Sequence, residues 1–398
     1  MSATPQLPRI AVVGTGFLAR TRLRCYANAR APGARVVTVC SGSAENAASF
    51  AREHGIPNWD QSFDDLVARD DVDAVDLCVP NRLHRDFCER AAAHKKHVLC
   101  TKPLAAYYGQ DLGPSPEARA VGERDRASMA RAAIEDAEAM QSACEGNGVR
   151  LFYGENWVYA PALQRLHGLL GERSGKILEL RGYEAHKGSH SRFSMSFKDA
   201  GGGALLRLGA HPIGAMLWLK REEGLRTTGR AIDCVAVTAA VANLTHGLDA
   251  KATPLATAWV DVENWGTCIL EFADGSRGLA WASDNQLGGM QSRFEVNTSR
   301  ARFECTLSPS EALRAYAHET STFDGQYIME KVDDAVGWMT PIPSEDVNSG
   351  QQGMIDDFVA ALREGREGAS DGALGVAVTR VIYSAYVAAA EGRRVVLD

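Results

Sequence analysis

Apolar positions along the first hundred residues fall into short continuous runs, with amphipathic stretches between them. Residues 9–13, 35–40, 74–79 and 97–100 read as strands, and 44–54 and 84–94 as helices. Unbroken apolar runs alternating with helices predict a parallel sheet covered on both faces. A helix over 128–145 and a strand over 149–153 complete this region. From residue 176 the rhythm changes. Candidate strands at 176–187, 230–243, 255–273, 277–284, 292–297 and 301–306 follow one another, and one helix over 209–219 interrupts them. Turns such as Ala273-Asp274-Gly275-Ser276 suit hairpins, so an open antiparallel or mixed sheet is predicted. Two closing helices read at 351–364 and 373–391. Residues 107–127 fit neither pattern and read as an insertion: a lid or interface arm, or a solvated excursion.

The first strand runs into Gly14-Thr15-Gly16-Phe17-Leu18-Ala19 and then a helix. A glycine turn between a strand and a helix start is how a backbone approaches a dinucleotide pyrophosphate. Gly14 permits the tight turn, Gly16 leaves no side chain in the way, and Ala19 lets helix and strand pack closely. The fold class is therefore α/β: an N-terminal Rossmann dinucleotide-binding domain plus a C-terminal α+β domain with a large open, mainly antiparallel sheet. Its boundaries are read as 1–153 and 154–398, with the helices of 351–391 packing back toward the first domain.

The 398 residues suffice for two domains with large cores. A net charge of −7 without a dense basic stripe argues against nucleic acid. No continuous apolar run approaches the roughly 18 residues of a membrane span, and the N-terminus lacks the pattern of a secretory signal. Nine cysteines, an odd number without a C-x-x-C pair, suit reduced thiols in a cytoplasmic protein.

The chain resembles the glucose–fructose oxidoreductase, inositol dehydrogenase and MocA-type oxidoreductases over nearly its whole length. The resemblance rests on the glycine motif, on Thr101-Lys102-Pro103-Leu104, and on Gly201-Gly202-Gly203-Ala204-Leu205 followed by Gly209-Ala210-His211-Pro212. Asp357-Phe358 and Ile382-Tyr383-Ser384-Ala385-Tyr386 fit the closing helices. It implies hydride transfer between NAD(P) and a secondary alcohol or carbonyl of a sugar, cyclitol or dihydrodiol, in a homodimer or homotetramer built through the C-terminal sheet. It also implies a cis bond before Pro103 that aims Lys102 inward. Two alternatives stay open: redox-neutral elimination or glycoside cleavage through transient oxidation, and a non-catalytic NAD(P)-binding sensor.

Alcohol oxidation needs a proton acceptor and donors that polarise the forming carbonyl. Lys102, just past a strand end, and His211, at a helix start, are the candidate catalytic residues. Gly14, Gly16, Phe17, Leu18, Ser41, Ser43, Pro80, Asn81, His84, Thr101, Lys102 and Asn156 are the candidate cofactor residues. The second strand ends at Ser41 with no adjacent carboxylate for a ribose 2′-hydroxyl, which tilts the cofactor toward NADP; NAD is the alternative. Tyr159, Glu184, His186, His190, Arg207 and His211 are the candidate substrate residues. Glu184, His186 and His190 share one face of an extended strand end and read as a hydrogen-bonding wall for a hydroxyl-rich substrate rather than as a metal site. Arg207 stands where the resemblance implies aspartate. Arginine cannot act as a base, so it reads as a clamp for an acidic substrate group, with weakened dehydrogenase chemistry as the alternative.

Overall fold

In the computed structural model, the residues described are 7–30, 33–113, 115–189, 191–308, 313–323, 336–341 and 344–397. The strands, in chain order, are β1 (Arg9–Val13), β2 (Arg35–Cys40), β3 (Asn58–Asp60), β4 (Ala74–Leu77), β5 (His97–Thr101), β6 (Leu151–Gly154), β7 (Ile177–Ala185), β8 (Cys234–Ala242), β9 (Trp265–Phe272), β10 (Arg277–Ser283), β11 (Gln291–Thr298), β12 (Arg302–Thr306), β13 (Ala315–Ala317), β14 (Gly337–Met339) and β15 (Val395–Val396). They divide between two compact units. The first comprises Met1–Ala106, Ala133–Tyr159 and Gly350–Thr379; the second comprises Tyr107–Ala132, Ala160–Ser349 and Arg380–Asp398.

The first unit is built on a six-stranded sheet in the order β3-β2-β1-β4-β5-β6. Every pairing is parallel, from Thr38 against Asn58 at one edge to Thr101 against Gly154 at the other. The apolar strand runs are buried on both faces, as helical crossovers require. Ile10, Val12, Val39, Ala74, Leu99 and Phe152 form its core, and Phe152 meets Phe358 edge-on at 4.8 Å between ring centroids. Full burial of each of the larger of these side chains, Ala74 aside, contributes about 1.5–3 kcal/mol. The strand order reverses between β1 and β4, which places the crevice for a ligand beyond their carboxyl ends. Strand β3 is too short and too polar to have been read from periodicity.

The second unit is built on a seven-stranded sheet in the order β12-β11-β7-β10-β9-β8-β15. It is mixed, mainly antiparallel: β7 and β10 pair in parallel, and the other ladders run antiparallel. The helix Ala210–Thr228 packs on β7 and β10. Gly182 permits this approach, since a Cβ there would lie 2.7 Å from Pro212 Cβ. The predicted helix over 209–219 continues to Thr228 because Lys220, fully buried, meets Glu223 and lies 2.9 Å from Asp274. The predicted strand over 255–273 shortens to Trp265–Phe272. The preceding residues form a loop tied by Asn264, whose Nδ2 donates to Thr245 Oγ1 at 2.7 Å and whose Oδ1 accepts from Leu244 N at 2.8 Å. Within the insertion, Tyr107 N donates to Tyr383 Oη at 2.6 Å, and that hydroxyl donates to Gly201 O at 2.6 Å.

One helix, Gly372–Glu391, is long and apolar enough to span a bilayer by composition, with a mean hydropathy of 1.5. It escaped a search for continuous apolar runs because Thr379, Arg380 and Ser384 interrupt it. Two thirds of that window is buried inside the protein, which identifies it as a core helix.

Candidate active site

In the first unit the cradle is set by Gly14. Its N–H donates to Cys40 O at 2.8 Å, and a Cβ would lie 2.3 Å from Cys78 O. At φ +112° the position is one that side-chain-bearing residues rarely adopt. Gly16 caps the helix Phe17–Ala27 from an extended backbone, makes no side-chain cap bond, and a Cβ there would meet nothing within 4 Å. No acidic residue stands in the first turn of that helix, so its free N–H groups present an uncompensated positive end. Phe17 is 68% exposed, while Ala19 is fully buried against the core. This arrangement fits a pyrophosphate.

At the end of β2, Ser41 N donates to Asp60 O at 3.1 Å. Ser43 caps the helix Ala44–His54, its Oγ accepting from Asn46 N at 3.3 Å. Pro80 is exposed and Asn81 opens a short 3₁₀ turn. Thr101 ends β5, Lys102 is half-buried, and the Lys102–Pro103 bond is cis. Asn156 is buried at the start of the turn Asn156–Tyr159.

Two predicted site residues serve as braces instead. His84 is fully buried rather than lining a groove. Its Nδ1 lies 3.1 Å from Pro103 O and 3.2 Å from Leu104 O, and its Nε2 lies 3.2 Å from Val79 O. It thereby ties the end of β4 to the Lys102 segment, and burial lowers its pKa against the pull of those carbonyls. Tyr159 is not a donor to substrate either. Its Oη donates to Asp357 Oδ2 at 3.0 Å and accepts from Ser370 N at 2.8 Å, and burial holds its pKa well above the usual tyrosine range.

A buried charged group beneath the cradle was not read from sequence. Asp76, on β4, accepts from Tyr26 Oη at 3.0 Å and lies 3.5 Å from Arg22 Nε. Arg22 Nη1 donates to Gln351 Oε1 at 2.6 Å. Burial holds the Asp76 carboxyl above its ordinary range despite Arg22. The available signal was a lone aspartate inside an apolar strand, which demands a partner.

In the second unit, β7 and its extension place Glu184 and His186 on one face, both buried. Gly188 N donates to His186 Nδ1 at 3.0 Å. His211, in the first turn of the helix Ala210–Thr228, is buried with Nε2 3.9 Å from Glu184 Oε2. Arg207, at the end of the helix Ala204–Arg207, donates through Nη2 to Asp284 Oδ2 and lies over the Trp259 ring at 5.4 Å. Asp284 is fully buried, and its Oδ1 is 3.5 Å from His186 Nδ1. Arg207 is therefore held by a carboxylate of its own chain, which removes the basis for reading it as a clamp for an acidic substrate. His190 lies outside the described residues.

Glu263, buried, holds the Gly201–Leu205 turn. It accepts from Gly203 N at 3.1 Å, from Leu205 N at 2.9 Å and from Tyr386 Oη at 2.8 Å. Neither Asp284 nor Glu263 carried a local motif, since each acts on residues far away in sequence. Among the described residues, no group of three or more His, Cys, Asp or Glu is placed to hold a metal ion.

Fold and cradle define the class: a Rossmann unit with a cradle that fits a dinucleotide pyrophosphate, in one chain with an open-sheet unit. Residues 8–111 match the model of an oxidoreductase family with an NAD-binding Rossmann fold, and residues 170–304 match the GFO/IDH/MocA C-terminal domain. The chain belongs to the Gfo/Idh/MocA oxidoreductase family. It is similar to D-xylose 1-dehydrogenase (NADP(+)) 2 of Haloferax volcanii, at 24% identity over 90% of this chain and 91% of that protein. It is also similar to 1,5-anhydro-D-fructose reductase of Ensifer adhaerens, at 29% identity over 49% of this chain and 51% of that protein, so it spans about half the length of that relative. Among solved structures it resembles GenD2 from gentamicin A biosynthesis in complex with NAD, with a TM-score of 0.79 and 25% identity over 100% of this chain and 98% of that one. The fold is shared with myo-inositol 2-dehydrogenase from Lactobacillus plantarum, with a TM-score of 0.73 and 17% identity over 99% of this chain and 100% of that one.

Proposed function

We propose that this chain is an NAD(P)-dependent dehydrogenase or reductase acting on a secondary alcohol or carbonyl of a sugar or cyclitol. The observation that carries the reading is the buried polar wall of the second unit, in which Glu184 and His186 share a face and His211 stands against Glu184. Such a wall suits a hydroxyl-rich, uncharged substrate, because Arg207 beside it is met by Asp284. A nicotinamide held at the Gly14–Ala19 turn would supply the hydride acceptor or donor. In the oxidative direction His211 takes the alcohol O–H proton as the C–H hydride departs and the carbonyl forms. Lys102 fixes the substrate oxygen by charge and stabilises developing negative charge on it. Small hydroxyls at Ser41 and Ser43, with no carboxylate between them, support room for a 2′-phosphate and hence NADP.

The exposed face of the second sheet carries Leu279, Ile269 and the Tyr183–Trp281 ring pair, at 5.3 Å between centroids, which supports association of copies through this face. The scattered thiols support a reducing, cytoplasmic setting.

The test is to mix purified protein with NAD+ or NADP+ and a panel of neutral and acidic aldoses and cyclitols. New absorbance at 340 nm with a neutral polyol supports the reading. Product without net absorbance points instead to redox-neutral chemistry, and cofactor binding without product points to a sensor.

A further inference from the structure

We infer that the insertion is a positioning strap for the substrate half of the site: through Tyr107, Gly122 and Arg126 it holds the Gly201–Gly203 turn and, beyond that turn, the short run that ends at His211. The inference rests on the proposed role of His211 in proton transfer.

The insertion is braced on itself. Asp111 joins its two ends, accepting from Tyr107 Oη at 2.6 Å and from Arg124 Nη2 at 2.7 Å. Gly109, at φ +91°, brings the loop back so closely that a Cβ there would lie 2.7 Å from Val121 and 2.8 Å from Pro116. Tyr107 and Val121 are fully buried, so the segment is packed rather than a solvated excursion.

Both ends reach the same target within the second unit. At the first end, Tyr107 N donates to Tyr383 Oη, and that hydroxyl donates to Gly201 O. At the second, the helix Ala118–Gly122 packs on the helix Phe197–Ala200, and Arg126 Cζ lies 4.4 Å from the Phe197 ring centroid. Phe197 N donates to Asp261 Oδ1 at 2.7 Å. Gly122 makes room for that carboxylate, since a Cβ there would overlap Oδ2 and lie 2.8 Å from Cγ. Phe197 also meets Tyr386 edge-on at 5.8 Å, and Tyr386 Oη accepts from Gly203 N at 3.2 Å. The segment 197–203 is thus held at Phe197, Gly201 and Gly203. The insertion supplies the first hold directly and the second through one tyrosine hydroxyl.

From Gly203 to His211 the backbone has little slack. Arg207 N donates to Gly203 O at 2.9 Å, Gly209 N to Ala204 O at 3.1 Å, and His211 N to Leu208 O at 3.2 Å. A shift of the turn is therefore carried to Arg207 and His211, and a misplacement of about 1 Å at a reacting group costs up to ~10²-fold in rate.

The test loosens the strap at its second end. Arg126→Ala removes the cation from the Phe197 ring, and Gly122→Ala drives a methyl group into Asp261. In both variants, amide hydrogen exchange over residues 197–211, followed by mass spectrometry, is expected to accelerate, while exchange over residues 9–27 and the Kd for NAD(P)+ stay as in wild type. With a polyol that the wild type oxidises, kcat should fall about 10-fold or more. Arg126→Lys keeps a cation over the ring and is expected to recover most of that loss. Arg119→Ala, on the helix Ala118–Gly122 but with its side chain 86% exposed, is expected to change neither exchange nor kcat. Unchanged exchange over 197–211 in both alanine variants overturns the inference, and so does an unchanged kcat or an equal loss in Arg119→Ala. If circular dichroism shows that Arg126→Ala does not fold, Gly122→Ala decides by the same readings. The exchange measurement needs no substrate, so a chain inactive on every polyol would refute the proposed function and leave the strap to be judged by exchange alone.

Discussion

Gly14 and Gly16 stand two residues apart in one motif, yet the structure assigns them different work, and a pair of alanine variants separates the two. At Gly14 a methyl group would lie 2.3 Å from Cys78 O, and the backbone has φ +112°. The conformation alone costs about 1–2 kcal/mol for a residue with a Cβ. The contact forces the ends of β1 and β4 apart, so a total near 3 kcal/mol is reasonable for Gly14→Ala. At Gly16 the backbone is extended and a methyl group meets nothing within 4 Å. Weaker capping, at about 0.5–1 kcal/mol, is offset by a gain of about 0.4–1 kcal/mol from restricting the unfolded chain. Gly16→Ala should therefore leave the urea midpoint within error while placing a methyl group where the pyrophosphate must approach. Loss of even one hydrogen bond to a charged phosphate, about 1.5–3 kcal/mol, corresponds to a roughly 10- to 150-fold rise in Kd. Isothermal calorimetry with NAD+ and NADP+ measures binding, and urea denaturation measures stability. Wild-type affinity in Gly16→Ala would refute the placement of the pyrophosphate over this turn. A Gly14→Ala variant as stable as wild type would refute the packing argument.

The remaining expectations concern charge. Lys102→Ala should lower turnover at least ~10²-fold with an unchanged circular dichroism spectrum, and near-normal kcat would remove Lys102 from the chemistry. Arg207→Asp would remove the cation that meets the buried Asp284 and add a second carboxylate nearby, raising the folded-state pKa of the pair. Its stability deficit should therefore grow as pH rises from about 4 to 7; urea midpoints that differ from wild type by the same amount at both pH values would contradict this. His84 has the opposite sign of linkage. Burial lowers its folded pKa below the unfolded value near 6.5, so the unfolded chain takes up the proton first and stability is lost as pH falls from about 7 through the folded pKa. His97 and His167 are lowered by burial too and add to the trend. His84→Gln should show a shallower fall in urea midpoint between pH 7 and 5.5, and an unchanged slope would show that His84 does not titrate in this range.

The parallel half of the fold was legible because its signals are local. Each strand from β1 to β6 except β3 is an apolar run, and Gly14 and Gly16 announce the turn that follows the first. The mainly antiparallel half was legible as strands but not as boundaries. Residues 255–264 are apolar enough to continue β9, and only the tertiary bonds of Asn264 to Leu244 and Thr245 show why they do not. The site divides the same way. The face shared by Glu184 and His186 follows from strand alternation, whereas His211 was singled out by the family resemblance of Gly209-Ala210-His211-Pro212. Tyr159 and His84 were misread because a hydroxyl or an imidazole beside a strand end looks the same in sequence whether it meets a ligand or a buried carbonyl. What separates the cases is Asp357, Ser370, Pro103 and Val79, and each of these contacts is made by folding.

Arg207 shows how far such an error can propagate. Judged by its neighbours in the chain, an arginine four residues before His211 implies either a site that has lost its acid–base partner or a site that grips an anion. Both inferences assume that the guanidinium is uncompensated. In the folded protein it meets Asp284, which lies 77 residues further along the chain at the end of β10, and a buried charge so matched exerts little pull on a substrate. The carboxylate that does face His211 is Glu184, supplied by β7. The carboxylate nearest the imidazole thus comes from the sheet rather than from the segment just before the histidine. An anionic substrate is not needed to explain the arginine, because Asp284 already answers its charge.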